Sequence, residues 1–450
     1  MYGNAVKAAP AASHPNARAR DVVVTGMGFC LPGNGKAVRT AADLWDVAAN
    51  GQSRLACDGI YHGTVKLSSN EFAERVPEIP GTFSQHFTTA HRFGILSLAE
   101  AAADAALDYA AGDLTEAAIL AGRGSLDANV DSYLAVLAAD PGTVTALEAI
   151  DLYVGTELGG TPSDVALVQA GLARSTGPCF TVSCGCASSA VQLGNAAMMI
   201  AAGAADIAVV TGVDVFNVEV VRKAQQLLGV AQRLMESDPA TGKAKQLPSF
   251  DRPMRPYDRR AGSVNFGEGS ATLILESREH ADRRGARPHG RILAHATGRD
   301  GLAHPLAGDP DGHGLVRVIR KCLGERWDIR QMPYLHGASD GNAEVTATEA
   351  SAVRELYGAA AGGLLMTSQE ACFGHNGAPA GCLGVALTLL MMQRGEVCPT
   401  ANCEQPADGL PFDPVPGTRT RALDFDHALN LTYQVGGMRS ALLVGAPDTI

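Results

Sequence analysis

Residues 180–190 read FTVSCGCASSA, and this stretch decides both the fold and the candidate nucleophile of the 450-residue chain. A β-rich lead-in ends at Gly185, whose missing side chain permits a sharp turn before Cys186. A helix of small residues follows and ends near Ala202. A cysteine just before a helix meets the positive end of the helix dipole, which favours the thiolate. The pattern predicts a nucleophile at Cys186; the alternative is a small buried hydrophobic side chain.

The pair Cys184 and Cys186 raises the question of a metal site or a disulfide. Alternate side chains of an extended strand point in opposite directions, and no second cluster of Cys or His lies nearby in the sequence. The ten cysteines of the chain form no CxxC pair and no regular framework. We therefore expect reduced thiols, no metal and a cytoplasmic location.

Strands and helices alternate on both sides of this stretch. Hydrophobic patterning predicts strands over 21–28, 117–121 and 207–211, and helices over 41–50 and 93–111. Such alternation is typical of an α/β fold.

Two segments are predicted to lie outside the core. Residues 1–20 are Ala-rich and polar without the apolar centre of a secretory signal, which indicates a flexible tail. Residues 236–257 are polar and contain proline, which favours an exposed excursion.

A second segment repeats the plan of the first. Residues 373–381 read FGHNGAPAG and place His375 at a turn before a helix over 382–393 that is almost free of charge. Helices of that kind are buried all round. Two copies of one plan predict a duplicated architecture whose helix N-termini converge on one site.

The bulk composition argues against two classes of protein. A formal net charge of -11 disfavours a general nucleic-acid binder, because phosphate contacts need a basic face. No apolar run approaches the roughly 18 residues of a membrane span. An apolar content of 46% suffices for a large core. We expect a globular protein with no nucleic-acid partner and no membrane span.

The stretch around Cys186 resembles the active-site loop of the β-ketoacyl-acyl-carrier-protein synthases, a ketosynthase family of the thiolase superfamily. Further segments resemble the family in the same order, at 22–28, 171–178, 205–214 and 255–276. The resemblance implies a divergent ketosynthase whose acylated cysteine is Cys186.

The family has a thiolase fold, so the resemblance implies two similar halves, 21–290 and 291–450, stacked in αβαβα layers. It also implies an acyl carrier protein as partner, substrates carried on the phosphopantetheine of that protein, and no other cofactor. The expected assembly is a homodimer or a heterodimer with a ketosynthase paralogue.

Two histidines match the catalytic histidines of the family. His336 lies in YLHGASD at 334–340, and His375 lies in the second turn. Two neutral imidazole donors stabilise the enolate that remains when a malonyl group loses carbon dioxide. The implied reaction is acyl transfer to Cys186, followed by decarboxylative Claisen condensation with a malonyl thioester in polyketide or fatty acid biosynthesis.

Several positions depart from the family pattern. Glu370 stands where elongating members usually carry a lysine, and three roles are open to it: raising the pKa of a nearby imidazole, acting as a base, or pairing with an arginine. Ala338 and Asp340 replace two threonines that usually bind the phosphopantetheine arm. Glu349 is the best match for the conserved acidic residue of the same loop.

Residues 431–437, LTYQVGG, resemble the family's gating loop. Tyr433 falls on the gatekeeping phenylalanine, Gln434 replaces a glycine, and Val435 replaces an aromatic residue. We expect a stiffer loop. The main-chain N–H groups of Cys186 and Val435 are expected to stabilise the oxyanion by analogy.

Two other functions remain open. One is a non-condensing acyltransferase or hydrolase that keeps the acyl-cysteine, with which the replaced residues are compatible. The other is a non-catalytic partner subunit that sets chain length. A basic cluster is a candidate surface for an acidic carrier protein, with a solvated structural face as the alternative. Its members are Arg252, Arg255, Arg259 and Arg260.

Overall fold

The computed structural model describes residues 20–76, 86–124, 130–160, 164–237, 249–303 and 307–449. The tail predicted over 1–20 lies outside these ranges except for Arg20, and so does half of the predicted excursion, residues 238–248. Among the described residues, every helix is too short or too polar to cross a lipid bilayer.

One large mixed sheet organises the described part of the chain. Its strands in chain order are β1 Val22–Cys30, β2 Ala118–Arg123, β3 Cys179–Val182, β4 Ile207–Asp214, β5 Gly269–Ser277, β6 Gly290–Arg299, β7 Tyr334–His336, β8 Leu365–Thr367, β9 His427–Gln434 and β10 Met438–Gly445. Their spatial order is β8-β7-β9-β10-β6-β1-β5-β4-β2-β3. Two short ribbons pair Ala56–Cys57 with Tyr61–His62 and Glu396–Val397 with Arg421–Ala422.

The strand order repeats between the two halves of the sheet. The first five strands run β3-β2-β4-β5-β1, and the last five run β8-β7-β9-β10-β6. The halves join where three residues of β1 pair antiparallel with the start of β6. The predicted division at residues 290 and 291 therefore falls at the beginning of β6.

Helices cover both halves. They are α1 Ala41–Ala49, α2 Ser69–Arg75, α3 Thr89–Asp104, α4 Val130–Ala138, α5 Ala146–Gly160, α6 Asp164–Ala173, α7 Ser188–Ala201, α8 Val218–Ser237, α9 Arg278–Arg283, α10 His313–Leu323, α11 Ala343–Tyr357, α12 Glu370–Phe373 and α13 Ala380–Arg394. The helix predicted over 93–111 is shifted. It starts earlier because the Thr88 side chain accepts a hydrogen bond from the His91 N–H, and it stops before Ala106, which has a left-handed φ of 54°.

The helices and the sheet form five layers. Helices α3 and α6 pack on the outer face of the first half, and α10, with α11 beside it, covers the outer face of the second. Helices α7 and α13 lie between the two halves and contact strands of both. The predicted α/β fold with duplicated halves in αβαβα layers is confirmed.

The two central helices differ in burial. Residues 381–391 of α13 are all buried, as the lack of charge predicts. Helix α7 is buried on most of its surface, but Met198 is about half exposed, so the prediction of complete burial is wrong for that helix. The helices nevertheless approach closely, because a Cβ atom on Gly381 would lie 2.3 Å from the backbone nitrogen of Ala190.

The end of the predicted excursion is only partly exposed. Phe250, Met254 and Tyr257 are buried, and the Tyr257 hydroxyl donates to Glu349 at 2.8 Å. Three large side chains pack into the core despite the polar composition of the surrounding segment. The prediction of exposure is therefore wrong for Phe250, Met254 and Tyr257, whereas Asp251 and Arg252 are exposed as predicted.

The close approach of α7 and α13 makes Gly381 intolerant of a side chain. We expect Gly381→Ala to destabilise the protein by about 1–3 kcal/mol, the usual effect of overpacking. Thermal unfolding followed by circular dichroism should then show a lower midpoint. Gly362→Ala is the matched control, since a Cβ atom there meets nothing within 4 Å. Equal midpoints for the two variants would contradict the packing.

Candidate active site

Cys186 lies in a tight turn between β3 and α7. The turn is a single 3₁₀ segment, Gly185–Ala187, that leads directly into the first residue of the helix. Gly185 has a φ of 50°, and a Cβ atom on it would lie 2.7 Å from Cγ of Gln434. Both the conformation and the neighbouring side chain therefore require glycine, as predicted for the sharp turn before Cys186.

His375 lies against the nucleophile. Its Nε2 atom is 2.7 Å from the Sγ atom of Cys186, although 189 residues separate the two in sequence. The backbone of His375 is held on both sides, because its N–H donates to the Asn265 carbonyl at 2.7 Å and its carbonyl accepts from the Gly267 N–H at 3.1 Å. The structure thus brings together two of the predicted catalytic residues.

Glu370 contacts the other side of the same imidazole. Its Oε2 atom lies 2.8 Å from Nδ1 of His375. A carboxylate can only accept here, so Nδ1 carries the proton. In the neutral ring Nε2 is then a lone pair that faces Cys186. The partner of Glu370 is therefore the histidine, not an arginine.

The two neighbours of His375 also determine its charge. Burial alone would lower the pKa of His375, but the Cys186 sulfur and the Glu370 carboxylate outweigh burial and raise that pKa well above its usual value. The imidazolium then directs its Nε2–H at the sulfur of Cys186, which lies just before the N-terminus of α7. The arrangement places a candidate nucleophile and a proton donor in contact.

The Nδ1 atom of His336 faces a hydroxyl group, whereas that of His375 faces a carboxylate. Its Nδ1 atom lies 3.3 Å from the Tyr334 hydroxyl, which lies 3.0 Å from the Thr367 hydroxyl, and Gln369 donates to that Thr367 oxygen at 3.0 Å. One direction of donation satisfies every group in this series of hydrogen bonds: the Gln369 amide donates to Thr367, Thr367 to Tyr334, and Tyr334 to Nδ1 of His336. The proton of His336 then lies on Nε2.

Burial keeps His336 uncharged. It lowers the pKa of this histidine to about 4, so the ring is neutral at pH 7. The imidazole packs against Gly384 of α13. Ala380, one helical turn earlier in the same helix, lines the cavity over Cys186. His336 itself is not among the described residues that line this cavity, and its catalytic role stays a prediction.

A cavity of about 360 Å³ opens over the nucleophile. Its walls come from the nucleophile turn, the loop before α10, the segment after β7 and the turn between β9 and β10. The side chains that bear on its chemistry are Cys186, Asp340, Glu344, Glu370, His375, Thr432, Tyr433 and Arg439. Three carboxylates thus line the walls.

The guanidinium in this wall, that of Arg439, is already paired with a carboxylate. Arg439 binds Asp300 through Nη2 and Oδ2 at 2.7 Å and through Nε and Oδ1 at 3.1 Å, and both side chains are buried. The wall is therefore acidic. Sequence reasoning missed this pair, because the two residues lie 139 positions apart and neither belongs to a local motif.

Asp340 and Glu349 occupy different environments. Asp340 lines the cavity and accepts from the Asn342 N–H at 3.0 Å. Glu349 is fully buried beneath the same loop, where it accepts from the Ala338 N–H and the Tyr257 hydroxyl, both at 2.8 Å. Burial raises the pKa of Glu349 to about 7. Glu349 thus anchors the loop that follows β7 through its hydrogen bond with Ala338.

The turn predicted to gate the site is held by several contacts. Arg299 Nε donates to the Gly436 carbonyl at 3.0 Å, and the Asp300 N–H donates to the Gly437 carbonyl at 2.8 Å. Tyr433 is buried with the Arg439 guanidinium 4.6 Å from its ring centre, whereas Val435 is 72% exposed. These contacts fasten the turn, and the stiffness of the loop stays a prediction.

The basic cluster expected to meet a carrier protein is largely neutralised. Arg259 pairs with Asp408 at 2.7 Å, Arg260 pairs with Asp258 at 2.7 Å, and Arg255 pairs with Glu404. The structural reading of this cluster gains support, since paired arginines offer less charge to an acidic partner.

One group of side chains among the described residues has the spacing of a metal site. Ligand atoms of Asp309, Asp311 and His313 lie within 4.8 Å of one another at the start of α10. Asp311 and His313 are exposed, and exposed acidic groups of this kind are common without an ion.

Removing the charge of Glu370 tests the charge state of the site. In Glu370→Gln the pKa of His375 falls, so less of the imidazolium remains beside the sulfur at pH 7. We expect iodoacetamide to alkylate Cys186 about tenfold more slowly, because the sulfur loses the cation that supports its reactive form. Peptide mass spectrometry gives the rate for each cysteine, and the exposed Cys57 is the internal control. An unchanged rate at Cys186 would contradict the role assigned to the carboxylate.

The amino-acid sequence matches two domain families and several known proteins. "Beta-ketoacyl synthase, N-terminal domain" matches residues 19–281, and "Beta-ketoacyl synthase, C-terminal domain" matches residues 289–404. The chain is 28% identical over 439 residues to a putative polyketide beta-ketoacyl synthase 1 of Streptomyces halstedii. That match covers 95% of this chain and 99% of the relative. It is 27% identical over 445 residues to 3-oxoacyl-[acyl-carrier-protein] synthase 2 of Vibrio harveyi, with 94% and 98% covered.

A solved structure shares the fold. The ishigamide ketosynthase/chain length factor superposes with a TM-score of 0.77 at 23% identity, and the match covers 95% of this chain and 99% of that one. The family, fold class and enzyme class expected from the sequence are confirmed. Because the two domain matches span most of its length, the protein belongs to the beta-ketoacyl synthase family of condensing acyltransferases.

Proposed function

We propose that the protein is a 3-oxoacyl-[acyl-carrier-protein] synthase-like enzyme that condenses an acyl group on Cys186 with a malonyl thioester. The observation that carries this proposal is the 2.7 Å contact between Cys186 and His375, at a helix N-terminus and inside a cavity. A non-catalytic partner subunit would have no need of this contact, which favours the enzyme over that alternative.

Acylation uses the charged pair. The Cys186 thiolate attacks the carbonyl carbon of an acyl thioester, and the pantetheine thiolate departs. The proton on Nε2 of His375 goes to the departing sulfur, so the step leaves acyl-Cys186, a free pantetheine thiol and a neutral imidazole.

Condensation uses the neutral histidine. Loss of carbon dioxide from the malonyl group leaves an enolate, and the Nε2–H of His336 is the donor suited to its oxygen. The carbanion attacks the acyl carbon, the Cys186 thiolate departs, and a solvent proton recharges His375. Main-chain N–H groups of Cys186 and Val435 are the proposed oxyanion donors.

An acyl carrier protein is the proposed source of both substrates. The Vibrio relative is named for that protein. The substrates arrive on its phosphopantetheine, and the reaction balances without a further cofactor. The proposed location is the cytoplasm, supported by the ten free cysteines.

The proposed assembly is a dimer, either of this chain or with a ketosynthase paralogue. Helices α4 and α5 present apolar side chains that are each more than half exposed: Leu134, Leu137, Leu147, Ile150 and Tyr153. A patch of this kind is typical of a protein interface. The edge strand β3 lies at the end of the sheet and also exposes Phe180 in part.

Two substitutions separate acylation from condensation. Cys186→Ala should lose the mass increase that octanoyl carrier protein produces, because the nucleophile is gone. His336→Ala should keep that increase but release carbon dioxide from malonyl carrier protein at least about 100-fold more slowly, the usual loss for one proton donor. Intact mass and radiolabelled carbon dioxide report the two steps. Acylation of the native protein without release of carbon dioxide would rule out condensation.

Charges in the apolar patch test the dimer. Light scattering should give the native protein twice the chain mass of 46.5 kDa, and Leu137→Asp combined with Ile150→Asp should give a single chain. Leu227→Asp is the matched control, since that side chain is exposed on α8 outside the patch. A native protein that is a monomer alone and after coexpression with a paralogue would refute the interface.

A further inference from the structure

We propose that the protein also hydrolyses its own acyl-Cys186, with His375 as general base and Glu370 as the residue that orients it and stabilises the imidazolium it becomes. The activity is a thioesterase reaction on a bound acyl chain. It rests on the first half of the proposed function, acylation of Cys186, but not on condensation.

The tautomer of His375 is the first step of the argument. Once the proton on Nε2 has left with pantetheine, Glu370 still holds the proton on Nδ1 at 2.8 Å. Nε2 is then a lone pair pointed at the acylated sulfur, which it contacts at 2.7 Å in the free enzyme. A lone pair accepts a proton and cannot donate one to an enolate, so this histidine is arranged as a base.

The environment of His375 makes this base strong. The carboxylate of Glu370 stabilises the imidazolium that forms when Nε2 takes a proton, as the third member of a catalytic triad does. A lysine at the same position, as in the family's elongating members, has no acceptor for Nδ1–H and would oppose the positive charge. The acidic residue therefore changes what His375 can do.

Water has a route to the acyl group. Cys186, Glu370 and His375 all line the same cavity of about 360 Å³, together with the polar side chains of Asp340 and Thr432.

The chemical step balances without any other reactant. The water oxygen attacks the acyl carbon while Nε2 of His375 takes one water proton. The bond between the acyl carbon and Sγ of Cys186 breaks, and the electron pair stays on sulfur. The products are a carboxylic acid and the thiolate–imidazolium pair of the free enzyme, so the site returns to its starting state.

The experiment follows the decay of a preformed acyl-enzyme. The full-length protein is acylated with octanoyl carrier protein in the absence of malonyl groups, freed of the donor by gel filtration, and placed in H₂¹⁸O. Intact mass gives the fraction of octanoyl-Cys186 over time, and mass spectrometry of the released octanoic acid gives its ¹⁸O content. We expect loss of the octanoyl mass and one ¹⁸O atom in the acid.

Variants at residue 370 test the assigned role. Glu370→Gln should slow the decay at least about tenfold and Glu370→Lys more, because general-base catalysis contributes about 10²–10⁴. The decay rate should rise with pH until His375 is neutral, and in Glu370→Gln this rise should end at a lower pH and a lower plateau. Glu370→Asp keeps the acceptor and should restore part of the rate. A structural role alone would leave the pH profile unmoved.

Two results would overturn the proposal. One is an octanoyl-Cys186 that survives in the native protein as long as in His375→Ala; the other is equal decay in the native protein and Glu370→Gln. Failure to form octanoyl-Cys186 at all would instead refute the proposed function, and intact mass before gel filtration distinguishes that case. Thermal unfolding of each variant shows that it is folded.

Discussion

The contact between α7 and α13 holds the catalytic groups together. Gly381 lies against the backbone of Ala190, and the Ser189 hydroxyl accepts from the Cys382 N–H at 3.1 Å. Because each helix carries small side chains at its start, the two N-termini meet between the halves of the sheet. That meeting places Cys186 within reach of a histidine far away in the chain. Reactivity depends on such positioning to within about 1 Å.

The two histidines show how neighbours assign roles to identical side chains. A carboxylate that can only accept holds the proton of His375 on Nδ1, whereas a hydroxyl that donates holds the proton of His336 on Nε2. One neutral ring thus presents an unprotonated Nε2 to the sulfur, as the proposed base requires, and the other carries an Nε2–H, as the proposed donor requires. The chemistry of the site therefore depends on Glu370 and Tyr334 as much as on the imidazoles.

The acidic wall follows from the same substitutions. Asp340 and Glu370 stand where the family usually carries a threonine and a lysine, and the guanidinium of Arg439 is committed to Asp300. The pair of Arg439 and Asp300 also fixes the turn beside the cavity. The site therefore combines a turn held by side-chain contacts with a histidine that lies between a sulfur and a carboxylate.

Local patterns indicated an α/β fold and a candidate nucleophile. A β-rich run, a glycine and a cysteine before a small-residue helix are features of neighbouring residues, and so is the repeat of that plan around His375. The division into halves and the layer order follow from them together with the family resemblance. Helix ends were less certain, since the start of α3 depends on a cap at Thr88.

Tertiary structure alone decided the rest. The choice of His375 over an arginine as partner for Glu370, the pairing of Arg439 with Asp300, and the burial of Tyr257 each join atoms from distant parts of the chain. No periodicity or spacing encodes such contacts, because they arise only when the two halves of the sheet pack on a shared pair of helices. The sequence by itself determined which groups could react; packing determined which protons they hold.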